Sequence, residues 1–157
     1  MNSAELKQFC TSIGVALAGV APMERFGGLP ASEHPAGILP EARSVVVIGQ
    51  EIPRGHFRGV EEGMLWTQPN KRILSKYTYE VARFIERDGW EAVPVVPHAA
   101  ARWPAGKPVA AGRPAPNVMP SLEYAAVAAG LGEIGFCRIL LTPQFGPRQS
   151  LGMLLTD

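Results

Sequence analysis

The chain has 157 residues, of which 46% are hydrophobic, and its 15 basic and 14 acidic side chains leave a net charge of +1. This length and composition fit one globular domain and exclude a disordered protein, and the balanced charge gives no electrostatic basis for binding nucleic acid. No apolar run in the sequence approaches the ~20 residues that cross a bilayer, and the N-terminus lacks the order of a signal peptide. We therefore expect a cytoplasmic protein with no membrane partner, whose ligand is a small molecule or another protein.

The first half of the sequence predicts one amphipathic helix and two strands. Asn2 and Glu5 have the spacing of a capping box, and apolar residues recur after them at helical intervals until Gly14. Residues 15–21 indicate a strand. Residues 43–52 contain four consecutive β-branched residues, which is typical of a central strand that is covered on both faces.

The second half predicts a long helix followed by an edge strand. Asn70 is in a position to cap this helix, which Gly89 ends, and the preceding loop has no periodicity. Residues 92–96 indicate a strand whose Pro94 favours the edge of a sheet. Seven prolines between residues 94 and 120 exclude regular structure there. A connection of this length predicts a lid, a dimer arm or a binding loop.

A G-x-G-x-x-G match over residues 130–135 has neighbouring elements in the wrong order for a dinucleotide site. A Rossmann fingerprint needs a strand before the first glycine and a helix after it. Here Ser121 predicts the N-cap of a helix over residues 122–129, Gly130 predicts its left-handed end, and residues 139–142 predict a short buried strand. The pattern therefore argues against an NAD-type site. It indicates either a sharp turn that lies against a flat ligand, or a glycine-capped helix with no ligand.

The order of the elements bears on the fold class. Residues 150–156 predict a last strand, so that strands and helices alternate irregularly, with an edge strand and long loops. This order favours an α/β (α+β) sandwich, a mixed sheet flanked by helices, over a doubly wound sheet.

The two cysteines, Cys10 and Cys137, are too few to hold a zinc ion or an iron–sulfur cluster, since these need about four soft ligands. We therefore predict no metal site in the chain. Cys10 falls on the apolar face of the first helix and is predicted to be buried. Cys137 follows the glycine turn, where Arg138 offers charge but no base to activate a thiol.

Three segments together resemble the cobalamin-binding core of epoxyqueuosine reductases and reductive dehalogenases. They are residues 129–135, 140–148 and 151–157. Those families carry an Ala-Gly-Leu-Gly turn, a small apolar strand, a turn that begins with Thr-Pro, and a closing strand that ends in Thr-Asp, in this order and at about this spacing. Residues 39–49 also resemble the families' entry to their central strand. The resemblance is closest over residues 125–157.

The resemblance implies a nitroreductase-like sandwich over residues 1–157, a single domain that holds a corrinoid in the base-off state. Because a corrin is wide and flat, glycines without a Cβ allow the backbone to approach it closely. Carried over to this sequence, the resemblance implies that two turns border the corrinoid, namely Gly130, Leu131, Gly132, Ile134, Gly135 and Phe136, and then Thr142, Pro143, Phe145, Gly146 and Pro147. The dehalogenase branch uses a tyrosine proton donor with polar helpers, which implies Tyr77 and Asn117 as catalytic candidates.

The sequence departs from these families in three places. In them the Thr-Asp pair leads into a ferredoxin-like module whose cysteines hold two iron–sulfur clusters, whereas the present sequence ends at Asp157. The clusters are therefore expected only in a module outside this chain. The two residues after the glycine turn, basic and polar in the families, are Phe136 and Cys137. The acidic proton donor of the epoxyqueuosine branch has no clear counterpart before Pro120.

The resemblance predicts the cobalamin-binding domain of a cytoplasmic reductase that acts on a small-molecule or modified-nucleoside substrate. Its electrons would come from a donor such as a ferredoxin module. A non-catalytic corrinoid carrier or chaperone is the first alternative. The second is an FMN-dependent oxidoreductase, because nitroreductase-like folds also hold FMN. A homodimer is left open.

Overall fold

The computed structural model describes residues 2–56, 67–95 and 118–157, and only the backbone of residues 67–71. Within these ranges the chain forms three α-helices, Ser3–Ser12 (α1), Thr67–Arg87 (α2) and Leu122–Ala128 (α3). The strands are Leu17–Pro22 (β1), Ser44–Glu51 (β2), Ala92–Val95 (β3), Glu133–Ile134 (β4), Leu140–Leu141 (β5) and Gln149–Thr156 (β6). Two short 3-10 helices, Met23–Phe26 and Pro35–Gly37, lie between β1 and β2.

Four of the strands form one antiparallel sheet in the order β1-β2-β6-β3. Strand β2 pairs with β6 over its whole length, from Ser44 opposite Thr156 to Glu51 opposite Gln149. The predicted central strand is therefore confirmed. Strand β3 is an edge strand, as predicted, with Pro94 opposite Leu154. Proline lacks a backbone N–H donor, and it is tolerated best in an edge strand because such a strand pairs with a neighbour on one side only.

Helices cover both faces of this sheet. Because successive side chains of a strand point to opposite faces, the β-branched run of β2 supplies both layers of the core. On one face Val46 and Ile48 pack with residues of α1 and α2, including Leu6, Cys10, Val81 and Ile85. On the other face Val45 and Val47 pack with Phe26 of the first 3-10 helix, with Leu39 before β2, and with Ala125 and Ala126 of α3. The predicted α/β sandwich is confirmed.

The predicted helix ends are close to those in the structure. Asn2 and Glu5 form the predicted capping box at the start of α1. Helix α2 begins at Thr67, three residues before the predicted cap at Asn70, and a left-handed Gly89, with φ of +86°, follows its last turn. No helix in the described ranges is long and apolar enough to cross a membrane.

Candidate functional site

The candidate site lies on the α3 side of the sheet, where the glycine turn leaves the helix. Helix α3 begins as predicted, with the Ser121 hydroxyl accepting a hydrogen bond from the Tyr124 amide at 3.1 Å. At its other end the Gly130 amide donates to the Val127 carbonyl and the Leu131 amide to the Ala126 carbonyl, both at 2.9 Å. Gly130 has a φ of +75°, so the predicted left-handed end of the helix is confirmed.

Gly132 is required by close packing against backbone, and Gly135 lies close to a side chain of β5. A Cβ on Gly132 would lie 2.1 Å from the Leu141 carbonyl oxygen, and one on Gly135 would lie 2.8 Å from Leu141 Cδ1. A Cβ on Gly130 would meet nothing within 4 Å among the described residues. The resemblance implies that all three glycines border a ligand. The structure gives that open position to Gly130 and turns the Cβ direction of Gly132 toward β5, because the turn lies directly against that strand.

Gly19 is a further glycine of the site. It lies on β1, and a Cβ there would come within 2.8 Å of the Ala129 carbonyl oxygen and 3.0 Å of Leu131 Cγ. This close approach seats the glycine turn on the sheet. The sequence carried one signal for it, a glycine inside a predicted strand, which often marks a close approach of another backbone.

The turn continues into a small hairpin, β4–β5, that is separate from the main sheet. Ile134 pairs with Leu140, and the predicted buried strand is only partly buried, because Leu140 is 2% exposed while Ile139 is 50% exposed. Leu140 anchors the hairpin to the core on the α3 side. Four apolar side chains of the turn and hairpin are exposed, and we call them the hairpin patch: Ile134, Phe136, Ile139 and Leu141. Because Ile134 is opposite Leu140 and successive side chains alternate, Leu141 points to the other face of the hairpin from Ile134.

Phe136 is the most exposed member of the hairpin patch, and its side chain is fully accessible. The adjacent tip of the hairpin is closed by hydrogen bonds from the Gly135 amide to the Ile139 carbonyl and from the Arg138 amide to the Gly135 carbonyl, both 2.9 Å long. Arg138 has a φ of +58°, the one left-handed non-glycine residue in the described ranges. The tight tip holds the aromatic ring away from the core.

The second predicted turn, over residues 142–147, is closed on itself. The backbones of Thr142 and Gly146 exchange hydrogen bonds of 3.0 and 2.8 Å. Thr142 is buried, and its hydroxyl accepts from the Phe145 amide at 3.3 Å and lies 3.3 Å from Gln149 Oε1. Gln149 in turn donates to the Leu140 carbonyl at 2.8 Å. Thr142 therefore shapes the turn, whereas Pro143 and Pro147 are exposed.

An ion pair fixes this end of the sheet. Arg148 Nη1 lies 2.8 Å from Glu51 Oε1 and donates to the Ile52 carbonyl at 2.9 Å, and the Ile52 amide donates back to the Arg148 carbonyl. These contacts hold the end of β2 against the start of β6. Sequence reasoning did not find them, because the partners are 97 residues apart and no local pattern links them.

The two catalytic candidates are not brought to the glycine turn. Tyr77 packs into the layer of α1 and α2, where its hydroxyl oxygen would lie 3.2 Å from a Cβ on Gly14. Leu131 of the glycine turn packs into the opposite layer, so the sheet lies between the two. Asn117 lies outside the described residues. A catalytic role for either residue stays a prediction, and the position of Tyr77 does not support it at this site.

The two cysteines lie on different elements and are both free. Cys10 is fully buried on α1, and burial raises the pKa of its thiol to about 11. Its predicted burial is confirmed. Cys137 is exposed at the tip of the hairpin. In the described ranges, no group of three or more His, Cys, Asp or Glu side chains is arranged to hold a metal ion.

The fold is similar to that of solved epoxyqueuosine reductases. The Bacillus subtilis enzyme, solved with its catalytic aspartate loop swung out of the active site, gives a TM-score of 0.62 at 16% identity, over 98% of this chain and 44% of that one. The Streptococcus thermophilus enzyme gives 0.62 at 15% identity, over 98% and 45%. An epoxyqueuosine reductase solved with a tRNA-Tyr epoxyqueuosine-modified stem loop gives 0.61 at 17% identity, over 98% and 44%.

These matches show the fold of the chain and its extent. The chain spans less than half the length of each of these reductases. No protein-family model matches it, and no curated protein sequence matches it. The described domain therefore has the architecture of one part of an epoxyqueuosine reductase, at a low level of sequence identity.

Proposed function

We propose that the chain is the cobalamin-binding domain of a reductase related to epoxyqueuosine reductase. The observation that carries the proposal is the open Cβ direction at Gly130, together with the exposed apolar side chains of the hairpin that follows it in the chain. The likeness in fold to epoxyqueuosine reductases supports it, as does the resemblance of residues 125–157 to the corrinoid-binding core of that superfamily.

The exposed residues of the turn and hairpin have the apolar character that a corrinoid ring requires. A wide flat ring needs an apolar platform and a backbone that comes close without a side chain between, and Gly130 provides the second of these. The apolar platform would be the side chains of Ile134 and Phe136, both of which are exposed. When bound, the corrinoid supplies a cobalt centre for reductive cleavage of the substrate.

The protein's own residues contribute orientation and the exclusion of water. The side chains of Ile134 and Phe136 would cover part of the ring and lower the local polarity. Gly132, Thr142 and Gln149 would have an indirect role. They hold the turn and the hairpin against the core and would not contact the ligand.

The electrons must come from a donor outside the described residues. Reductive cleavage consumes two electrons, and Cys10 and Cys137, on different elements, cannot together hold an iron–sulfur cluster. We propose a ferredoxin-type module or protein as this donor. A modified nucleoside is the proposed substrate class, since one of the similar reductases was solved with an epoxyqueuosine-modified tRNA stem loop.

A corrinoid carrier is the second candidate function. It is favoured by one observation, the separation of Tyr77 from the glycine turn by the sheet. A carrier needs the platform and the open glycine but no proton donor beside them.

The proposal is tested by titrating the purified chain with hydroxocobalamin and, separately, with FMN, while absorbance is recorded. We expect cobalamin to bind and to shift toward the base-off spectrum. We expect Phe136→Ser to weaken this binding without lowering the melting temperature, because the ring contacts no core residue. The matched control is Tyr79→Ser, which removes an exposed aromatic ring from the outer side of α2.

The outcomes separate the candidates. An unchanged cobalamin spectrum together with tight FMN binding would replace the proposal with a flavin enzyme. Equal loss of affinity in Phe136→Ser and Tyr79→Ser would remove the hairpin patch from the site. Base-off binding without turnover, even when a strong chemical reductant and an epoxyqueuosine substrate are supplied, would favour the carrier.

A further inference from the structure

The short 3-10 helix Met23–Phe26 contacts α3 through two hydrogen bonds and one pair of aromatic rings. Arg25 Nη1 donates a hydrogen bond to the Ala128 carbonyl. In the opposite direction, the Tyr124 hydroxyl donates to the Arg25 carbonyl at 3.0 Å. The buried ring of Phe26 lies against the Tyr124 ring, with their centroids 5.7 Å apart. Two segments separated by about a hundred residues are therefore joined in both directions.

The Arg25 contact completes the cap of α3. The last four carbonyls of a helix have no partner within it. In α3 the Ala125 carbonyl accepts from the Ala129 amide, and those of Ala126 and Val127 accept from the amides of the glycine turn. The remaining carbonyl, that of Ala128, accepts its hydrogen bond from the Arg25 guanidinium. A cation at this end of a helix also interacts favourably with the helix dipole.

We propose that Arg25 is a positioning residue for the glycine turn. The Ala128 carbonyl is two residues before Gly130, so its direction sets the plane in which the backbone of the turn leaves the helix. Arg25 and Tyr124 are themselves exposed, and their hydrogen bonds lie outside both layers of the core. Loss of these hydrogen bonds is therefore expected to change the order of the glycine turn more than the stability of the whole domain. The role in ligand binding rests on the proposed function, whereas the role in ordering the turn does not.

The test compares Arg25→Met, which keeps most of the side-chain length without a donor, with Arg25→Lys, which keeps a cationic donor. The first measurement is residue-resolved amide hydrogen exchange of the chain without ligand. We expect Arg25→Met to speed exchange at the Gly130 and Leu131 amides about three- to tenfold. We expect Arg25→Lys to recover part of the protection, and Tyr124→Phe to give a smaller change of the same sign.

The second measurement is hydroxocobalamin affinity, which we expect to fall by about three- to tenfold in Arg25→Met. The matched control is Arg43→Met, which removes an exposed arginine that precedes β2 and lies away from α3. We expect it to leave both the exchange of the turn and the affinity unchanged.

Each outcome decides one of the two proposals. Unchanged exchange at Gly130 and Leu131 in Arg25→Met would overturn the positioning role, whatever the affinity. Faster exchange spread over the whole domain, with a matching fall in melting temperature, would also overturn it and leave an ordinary structural contact. Local loss of protection in a protein whose parent binds no cobalamin would support the positioning role and contradict the proposed function.

Discussion

Substitution of Gly132 by alanine is expected to destabilise the domain by detaching the hairpin from the glycine turn. The new Cβ would lie 2.1 Å from the Leu141 carbonyl oxygen, 2.9 Å from the Leu141 carbonyl carbon and 3.2 Å from the Thr142 Cα. These are backbone atoms, so no flexible side chain can move aside. The hairpin would have to shift by about 1 Å to restore an ordinary contact distance of roughly 3.3 Å.

The expected cost follows from this overlap. Overpacking of this kind costs about 1–3 kcal/mol, and rigid backbone on both sides puts Gly132→Ala near the upper end. For a domain of this size about 3 kcal/mol corresponds to a fall in melting temperature of roughly 6–12 °C. The matched control is Gly130→Ala, where the added Cβ meets nothing within 4 Å and only the left-handed φ is unfavourable. That costs about 1 kcal/mol, or roughly 2–4 °C.

Thermal unfolding followed by circular dichroism measures both variants under the same conditions. The reasoning requires Gly132→Ala to melt well below Gly130→Ala. If Gly132→Ala melts with the parent, or if the order of the two is reversed, then the turn does not lie against β5 as described. The pair also separates packing from ligand binding, because Gly130 faces the open side and Gly132 does not.

Two further predictions concern the hairpin and the thiols. Leu140→Ala removes the buried anchor of the hairpin and should lower the free energy of unfolding, measured by chemical denaturation, by about 2–4 kcal/mol. Ile139 is half exposed, so Ile139→Ala should cost under about 1 kcal/mol. Similar costs for the two variants would contradict the described burial. The pKa of Cys10 is raised to about 11, so the unfolded chain loses its thiol proton first and stability should fall as pH rises from 9 toward 11. Cys10→Ala should flatten that slope, and at pH 8 a thiol reagent should label Cys137 alone in the folded protein; rapid labelling of both thiols would refute the burial.

The features that the sequence predicted correctly are those whose partners lie nearby in the chain. A capping box needs only Asn2 and Glu5, and the two ends of α3 need only Ser121 at the start and Gly130 after the last turn. The central strand was predictable because a strand that is apolar on both faces requires cover on both faces. In each case the hydrogen bond or the burial pattern is complete within a few residues, so composition and spacing carry the whole signal.

The features that the sequence did not predict depend on which face of the sheet an element covers. The periodicity of α2 shows that Tyr77 lies on its apolar side, but the same periodicity would suit either face of the sheet. The contacts of Arg25 with Ala128 and of Arg148 with Glu51 join residues 103 and 97 positions apart. No local pattern specifies such partners, because they are brought together only when the sheet and its two layers have formed.

The glycine motif shows how one short pattern combines two physical requirements. At Gly132 the backbone of β5 occupies the space of a Cβ, at Gly135 the Leu141 side chain lies close to it, and at Gly130 the backbone is left-handed. All three would look alike in a motif search, yet only Gly130 has its Cβ direction open. A substitution that tests ligand binding must therefore act on the open side, at Gly130 or at Phe136. Loss of binding in a Gly132 variant would be explained by a displaced hairpin, and would carry no information about what the hairpin binds.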